Sequence, residues 1–256
     1  MSELAFSFGR IAAEYDDVRP EYAPEALDRA TEALGLDDGS RVVDLAAGSG
    51  KLTRALAPRF AEVVAVEPND DMRGVLAGRS ADVRVLAGTA ERLPLPDGSA
   101  DAVFVGDAFH WFDGPAAVAE LSRVVRPGGG VALLWNHWWS DGDDGTVNSL
   151  HPPLPGAAQE LLDDVYIRSG RAAARATMAD PLEAFAGGPF EPLAEEPFGR
   201  TEQLSGGEIV DLFATVSSIA SLRPDEREEL KGTLRTLLEP SYRLEITTKL
   251  YWTRRG

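Results

Sequence analysis

The sequence contains no cysteine. That excludes disulfides, thiolate metal sites and a cysteine nucleophile, and it fits a reducing compartment. It also has no long run of lysine and arginine. With 42 acidic against 25 basic side chains, the formal net charge is −17. Such a surface repels polyphosphate and argues against DNA, RNA and anionic membranes as partners. No stretch reaches the roughly 18 apolar residues that cross a bilayer. The N-terminal "MSELAFSFGRIAAEYDD" lacks the basic and apolar segments of a signal peptide. The expectation is a soluble cytoplasmic protein with a small-molecule partner. Its 256 residues, 44% of them hydrophobic, are ample for one α/β domain with a sizeable lid.

What is present is an alternation of short β-branched runs and helical stretches. "RVVDLA", "AEVVAVE", "DVRVLAG", "SADAVFVGD" and "VALLWN" read as strands, and "KLTRALAPRF", "NDDMRGVLAGRS" and "DGPAAVAELSRVV" as helices. Continuous apolar strands separated by helices imply a parallel sheet covered on both faces, a doubly wound α/β fold. Ahead of it, Leu27, Ala30 and Leu34 mark a helix that Gly35 stops. After Asn136, a loop rich in Gly, Asp and Pro leads into three helical stretches. The closing "YRLEITTKLYWTRR" alternates and reads as a strand returning to the sheet. One domain is expected: an N-terminal lid and helix (1–36), a core (37–136), a helical cap inserted after the fifth strand (137–240) and a return strand (241–256).

Ligands in doubly wound folds bind at the carboxyl ends of the strands, beside the first strand-to-helix turn. Here that turn is "DLAAGSGK". Gly48 and Gly50 allow close backbone approach, Ala46 and Ala47 are small, and the helix near Lys51 offers N–H groups to a negative or dipolar ligand. Any nucleotide would suit so far. The dinucleotide pattern fails, because Thr53 stands where its third glycine belongs, and there is no P-loop, because no "GK[ST]" occurs. Glu67, closing "VVAVE", can accept both ribose hydroxyls and would repel a 2′-phosphate.

Four ordered stretches then carry a resemblance. "VVDLAAGSGKLT", "VVAVEPNDDM", "VLAGTAERLPLPDGSADAVFVGDAFHWF" and "ELSRVVRPGGGVALLWN" resemble the class I S-adenosylmethionine-dependent methyltransferases. The similarity is to the small-molecule branch with ubiquinone/menaquinone-type and trans-aconitate-type enzymes, and it covers roughly residues 5–136. The resemblance implies a Rossmann-like, seven-stranded sheet and S-adenosyl-L-methionine as cofactor. It places Asp44, Ala46, Gly48 and Gly50 along the methionine part, Glu67 on the ribose and Pro68 on the adenine face. Thr89, Ala90 and Glu91 occupy the adenine-side loop, and Asp107 lies next to the sulfonium. The family more often has glycine at Ala46 and aspartate at Thr89. "YDDVRPEY" resembles a segment folded over the cofactor, with Tyr15 or Arg19 meeting the methionine carboxylate.

Methyl transfer is an in-line displacement that needs alignment and a dry, aromatic-lined pocket more than a base. A base is required only where the acceptor must lose a proton. His110, one of three histidines, is the candidate base or substrate contact in "DAFHWFD". Phe109, Trp111, Asn136, His137 and Trp138 are candidate substrate contacts, with core packing or lid anchoring as the competing reading. The acidic "DGDD" (Asp141–Asp144) lacks the calcium-loop pattern, so no metal is expected. The expected activity is methyl transfer to a small-molecule acceptor, through a carboxylate or hydroxyl oxygen. The rival readings are a non-enzymatic cofactor-binding protein, cyclisation chemistry on the same sulfonium, and an NAD-dependent oxidoreductase lacking its third glycine.

Overall fold

A computed structural model of the chain describes residues 11–138, 150–169 and 178–256; Trp139 and Asp141–Asp144 lie outside the described residues. In chain order come α1 (Ala12–Val18), α2 (Pro24–Leu34), β1 (Arg41–Leu45), α3 (Lys51–Leu56) and β2 (Glu62–Val66). Then follow α4 (Asp70–Arg79), β3 (Arg84–Leu86), β4 (Ala100–Gly106), α5 (Gly114–Val124) and β5 (Val125–His137). The rest comprises β6 (Leu150–His151), α6 (Gly156–Arg168), α7 (Pro181–Phe185), β7 (Ala194–Ser205), α8 (Gly206–Ala214), α9 (Ser217–Ala220), α10 (Pro224–Leu237) and β8 (Ser241–Arg254).

Five strands are parallel in the order β3-β2-β1-β4-β5. β8 runs antiparallel beside β5, and β7 runs antiparallel along the other edge of β8. The short β6 meets β8 at Arg243 and Leu244, beyond the end of β5. This is the doubly wound, Rossmann-like α/β sheet read from the sequence. β1 and β2 each bury four consecutive residues after an exposed first one, the mark of strands covered on both faces. Val43, Leu45, Val103 and Val105 pack toward Val118 and Leu121 of α5. Val42, Phe104 and Leu134 face Leu27 and Ala30 of α2 and Leu52 and Leu56 of α3. Each such side chain contributes about 1.5–3 kcal/mol of burial. α2 starts on Pro24 and stops where Gly35 turns left-handed at φ 64°, as the asymmetry of helix ends favours.

The region expected as a helical cap is not all helix. Ala194–Ser205 forms a twelve-residue strand that pairs with β8 from Trp252 back to Ser241. Its side chains alternate half-buried and exposed, and Pro197, Gly199 and several charges dilute the apolar pattern, as edge strands commonly show. The helices α6, α8, α9 and α10 pack on the part of β8 that projects past β5. Tyr242, Leu244 and Ile246 share one core there with Leu162, Ile209, Phe213 and Leu230. Among the described residues, no helix is long and apolar enough to cross a membrane.

Candidate active site

The carboxyl ends of β1, β2, β4 and β5 open on a cavity of about 600 Å³. The turn after β1 builds its floor. Ala46, Gly48 and Gly50 all have positive φ, at 56°, 57° and 94°. For Ala46 this conformation costs roughly 1–2 kcal/mol, and glycine would adopt it freely. The two glycines differ in their surroundings. A Cβ on Gly48 would meet nothing within 4 Å, whereas one on Gly50 would stand 2.9 Å from Leu76 Cγ. Gly48 therefore faces open cavity, and Gly50 faces the packed helix α4.

Two acidic side chains flank this turn. Asp44 Oδ2 accepts a hydrogen bond from Thr53 Oγ1 at 2.5 Å. Its Oδ1 is buried without a partner. Burial pushes the Asp44 carboxyl up to about 7, with the Glu67 charge adding to the rise and Thr53 opposing it. Glu67, at the end of β2, accepts from Gly48 N at 2.9 Å and from Asn69 N at 2.8 Å. Burial raises its carboxyl above the ordinary range against the pull of those two N–H groups. The glutamate thus fixes the glycine turn itself.

At the end of β4, Asp107 is the second non-glycine with positive φ among the described residues, at 49°. Its N–H donates to Leu134 O at 2.8 Å. Tyr22 Oη donates to its Oδ2 at 2.9 Å, and Asn136 N to its Oδ1 at 3.2 Å. Burial pushes the Asp107 carboxyl up to about 6, opposed by Arg19 and by the hydrogen bonds of Tyr22 and Asn136. Strain at two neighbouring strand ends, both lining one cavity, is the distribution expected of a functional site. Beyond Asp107, Trp135 Nε1 donates to His110 Nδ1 at 3.3 Å. Trp135 also meets Tyr251 edge-on at 5.6 Å, and Trp111 lines the same space.

The N-terminal segment roofs the cavity. Arg19 Nε donates to Thr215 Oγ1 at 2.8 Å and its Nη2 to Thr215 O at 3.0 Å. Its guanidinium also lies over the rings of Tyr15 and Trp138, at 5.0 and 5.3 Å. Asn136 Nδ2 donates to the carbonyls of Pro20 and Glu21 at 3.0 and 3.1 Å. Thr248 Oγ1 donates to Asn136 Oδ1 at 2.6 Å and accepts from Ala23 N at 3.0 Å. α1 is fastened on both flanks: Asp16 pairs with Arg54 at 2.7 Å and also with Arg79, and Glu14 pairs with Arg227 and Lys231 at 2.7 and 3.0 Å.

Tyr15, Arg19, Asp44, Ala46, Gly48, Glu67 and Asp107 line this cavity, together with His110, Trp111, Asn136, His137 and Trp138. Other expected residues sit elsewhere. Phe109 is fully buried and packs on Phe112 and Phe185, so it belongs to the core rather than to a substrate wall. Ala90 is also buried core, Thr89 forms a tight bridge with Arg92, and Glu91 caps Asp113 N at 3.0 Å. Neither these three nor Gly50 and Pro68 line the cavity. Asn136 spends its amide on the N-terminal segment. Tyr22, Trp135, Tyr251 and Ser217 also line the cavity and escaped the sequence reading; only the aromatic character of the first three hints at it. Among the described residues no group of three metal-ligating side chains comes together.

Residues 43–133 match the family described as a methyltransferase domain. An uncharacterized methyltransferase of Mycobacterium tuberculosis is 45% identical over 134 residues, which are 52% of this chain and 54% of that protein. The chain thus spans about half the length of that relative. An uncharacterized methyltransferase of Schizosaccharomyces pombe is 28% identical over 239 residues, covering 93% of this chain and 89% of that one. A solved structure from Anaeromyxobacter dehalogenans, described as a candidate type II methyltransferase, superposes with a TM-score of 0.59 at 23% identity. It covers 93% of this chain and 97% of its own. Residues 43–133 thus carry the matched methyltransferase domain, and the fold is the one shared with that solved structure.

Proposed function

We propose that the protein transfers a methyl group from S-adenosylmethionine to an oxygen of a small-molecule acceptor. The observation that carries this reading is Asp44, a buried carboxylate whose Oδ1 has no donor in the wall of a cavity with an aromatic side. An ammonium group on a ligand would satisfy that oxygen, and leaving it unsatisfied costs about 1–3 kcal/mol or more. The amino-acid end of the cofactor carries such a group. Gly48 leaves room beside it, Glu67 keeps lone pairs beyond its two backbone bonds for ribose hydroxyls, and Arg19 offers a cation to a ligand carboxylate. When bound, the sulfonium supplies an electrophilic methyl group. The protein supplies alignment, worth roughly 7–11 kcal/mol, and a wall of Trp111, Trp135 and Tyr251 suited to a cation and an apolar acceptor. The net charge of −17 disfavours a nucleic-acid acceptor.

Calorimetric titration with S-adenosylhomocysteine, with NAD in parallel, tests the cofactor assignment. Micromolar binding of the first and none of the second is expected. Binding of neither by folded protein, checked for ligand already bound, overturns the reading. Binding of S-adenosylhomocysteine with no methyl acceptor among small molecules favours a cofactor-binding protein without transfer.

A further inference from the structure

His110 and Asp107 are the two proton-handling groups bound to the Trp135 corner of the cavity, and their hydrogen bonds assign them different tasks. His110 Nδ1 accepts the indole N–H of Trp135. A neutral imidazole that accepts at Nδ1 carries its proton on Nε2. The ring is then a donor, with its basic nitrogen already used. Asp107 is the complement. Its two oxygens accept one bond each, from Tyr22 and from Asn136 N, and a carboxylate has about four lone-pair positions. The group is locked in a strained backbone conformation by bonds to both neighbours of Trp135, Leu134 and Asn136. Strain of this kind persists where the surroundings over-determine it, commonly at a working group.

We propose that the methyl acceptor is a phenol whose hydroxyl proton Asp107 takes, with its ring held against Trp111 and Trp135. This rests on the methyltransferase reading above and narrows it to one acceptor class. In the reaction one O–C bond forms, one S–C bond breaks with its electron pair going to sulfur, and the hydroxyl proton moves to an Asp107 carboxylate oxygen. The acceptor leaves as a neutral aryl methyl ether. A phenol resembles the tyrosine side chain, which loses its proton near pH 10. Against a carboxyl at about 6, the gap is about four pKa units; an alkyl alcohol is a much weaker acid. The charged and titratable groups facing Asp107 are Tyr22, Arg19 and Tyr15, and Tyr22 is itself influenced by the charge of Asp44. The aromatic walls stack a flat ring with little desolvation cost.

The test pairs binding with methyl transfer. The protein is offered labelled S-adenosylmethionine with phenol, catechol and para-nitrophenol, and in parallel with benzoate, aniline and cyclohexanol. Transfer to the phenols is expected. D107N should lower turnover by about 10²- to 10⁴-fold, the usual worth of a general base, while S-adenosylhomocysteine affinity stays within about threefold. The Tyr22 hydroxyl can turn to accept from the new amide, so the variant keeps its fold. A second readout needs no turnover. On S-adenosylhomocysteine-loaded protein, bound para-nitrophenol should ionise less readily in the wild type than in D107N, seen in its visible phenolate band. Cofactor-product binding with no phenol bound or methylated overturns the proposal. So does transfer confined to benzoate, or a D107N variant as active as wild type. Failure to bind S-adenosylhomocysteine at all overturns the parent reading instead.

Discussion

Thr53 Oγ1 donates to Asp44 Oδ2 at 2.5 Å, and the other oxygen of the same buried carboxylate has no partner. The arrangement leaves Asp44 poised for a proton or for a ligand cation. Its folded value, about 7, lies above the roughly 3.9 of an unfolded chain. Between those values the native state holds a proton that the unfolded state has released. The stability of the ligand-free protein therefore falls as pH rises from about 4 to about 7 through this group. Asp107, at about 6, acts in the same direction. Asp16 acts below this window: burial would raise its carboxyl, but hydrogen bonds from Ser49 and Arg54 outweigh it and hold it low. Thermal melts should show a higher Tm near pH 5.5 than near pH 7.5, and D44N should shrink that difference. Binding of S-adenosylhomocysteine near pH 7 should release protons from Asp44, read as a buffer-dependent enthalpy in calorimetry.

Gly48 and Gly50 predict opposite failures. A methyl group on Gly48 enters open cavity, so G48A bears only the left-handed strain of roughly 1–2 kcal/mol but obstructs the ligand. A methyl group on Gly50 meets Leu76 Cγ at 2.9 Å and Arg54 Nη1 at 3.2 Å. G50A should lose more stability because packing strain adds to backbone strain. Melting curves and S-adenosylhomocysteine titrations on both variants check this. A G48A protein that binds normally would remove the ligand from that face of the turn.

Glu67 holds two backbone donors at once, which makes its amide a poor substitute. In E67Q one of the two N–H groups, from Gly48 or Asn69, must face an NH₂ group. E67Q and E67A should each lose about 1–3 kcal/mol of stability. Both should bind S-adenosylhomocysteine roughly 10- to 100-fold more weakly, because each charge-assisted bond is worth about 1.5–3 kcal/mol before water offsets it. Unchanged affinity in E67A would show that the ribose sits elsewhere.

The readable part of this site is local in sequence. Asp44, Gly48 and Gly50 lie within seven residues of one strand–turn–helix, so the glycine turn reads from local spacing and the family resemblance adds Asp44 to it. The contacts that finish the cavity are not local: Tyr22 reaches Asp107 across 85 residues and Arg19 reaches Thr215 across 196. Nothing in either segment names its partner. Phe109 shows a different difficulty. In "DAFHWFD" one tight turn decides which aromatic enters the core and which faces the cavity: by sequence both Phe109 and Trp111 are candidate substrate contacts, but Phe109 enters the core while Trp111 lines the cavity. β7 was illegible because an edge strand buries half of each alternate residue and tolerates Pro197 and Gly199, leaving too little apolar signal.

Asn136 offers the sharpest test of how the N-terminal segment is held. Its side chain donates to two carbonyls, Pro20 O and Glu21 O, and accepts from Thr248 Oγ1, while its backbone N–H separately holds Asp107. Asn136→Ala removes the first three bonds and keeps the last, so it loosens the segment that carries Arg19 and Tyr22 without removing the backbone support of Asp107. A loss of about 1–3 kcal/mol is expected from the carbonyls left without that donor. Asn136→Asp should be worse near neutral pH, because its carboxylate would face two carbonyl oxygens and lie near Asp107, and it should recover on acidification. Hydrogen exchange supplies the local readout. The Ala23 amide, bonded to Thr248 Oγ1, should exchange faster in Asn136→Ala, and S-adenosylhomocysteine should bind several-fold more weakly. Unchanged exchange would assign the segment's anchorage to Arg200 and Lys51, which bind Glu21 from other directions. In that case Asn136 would act on the site only through its backbone.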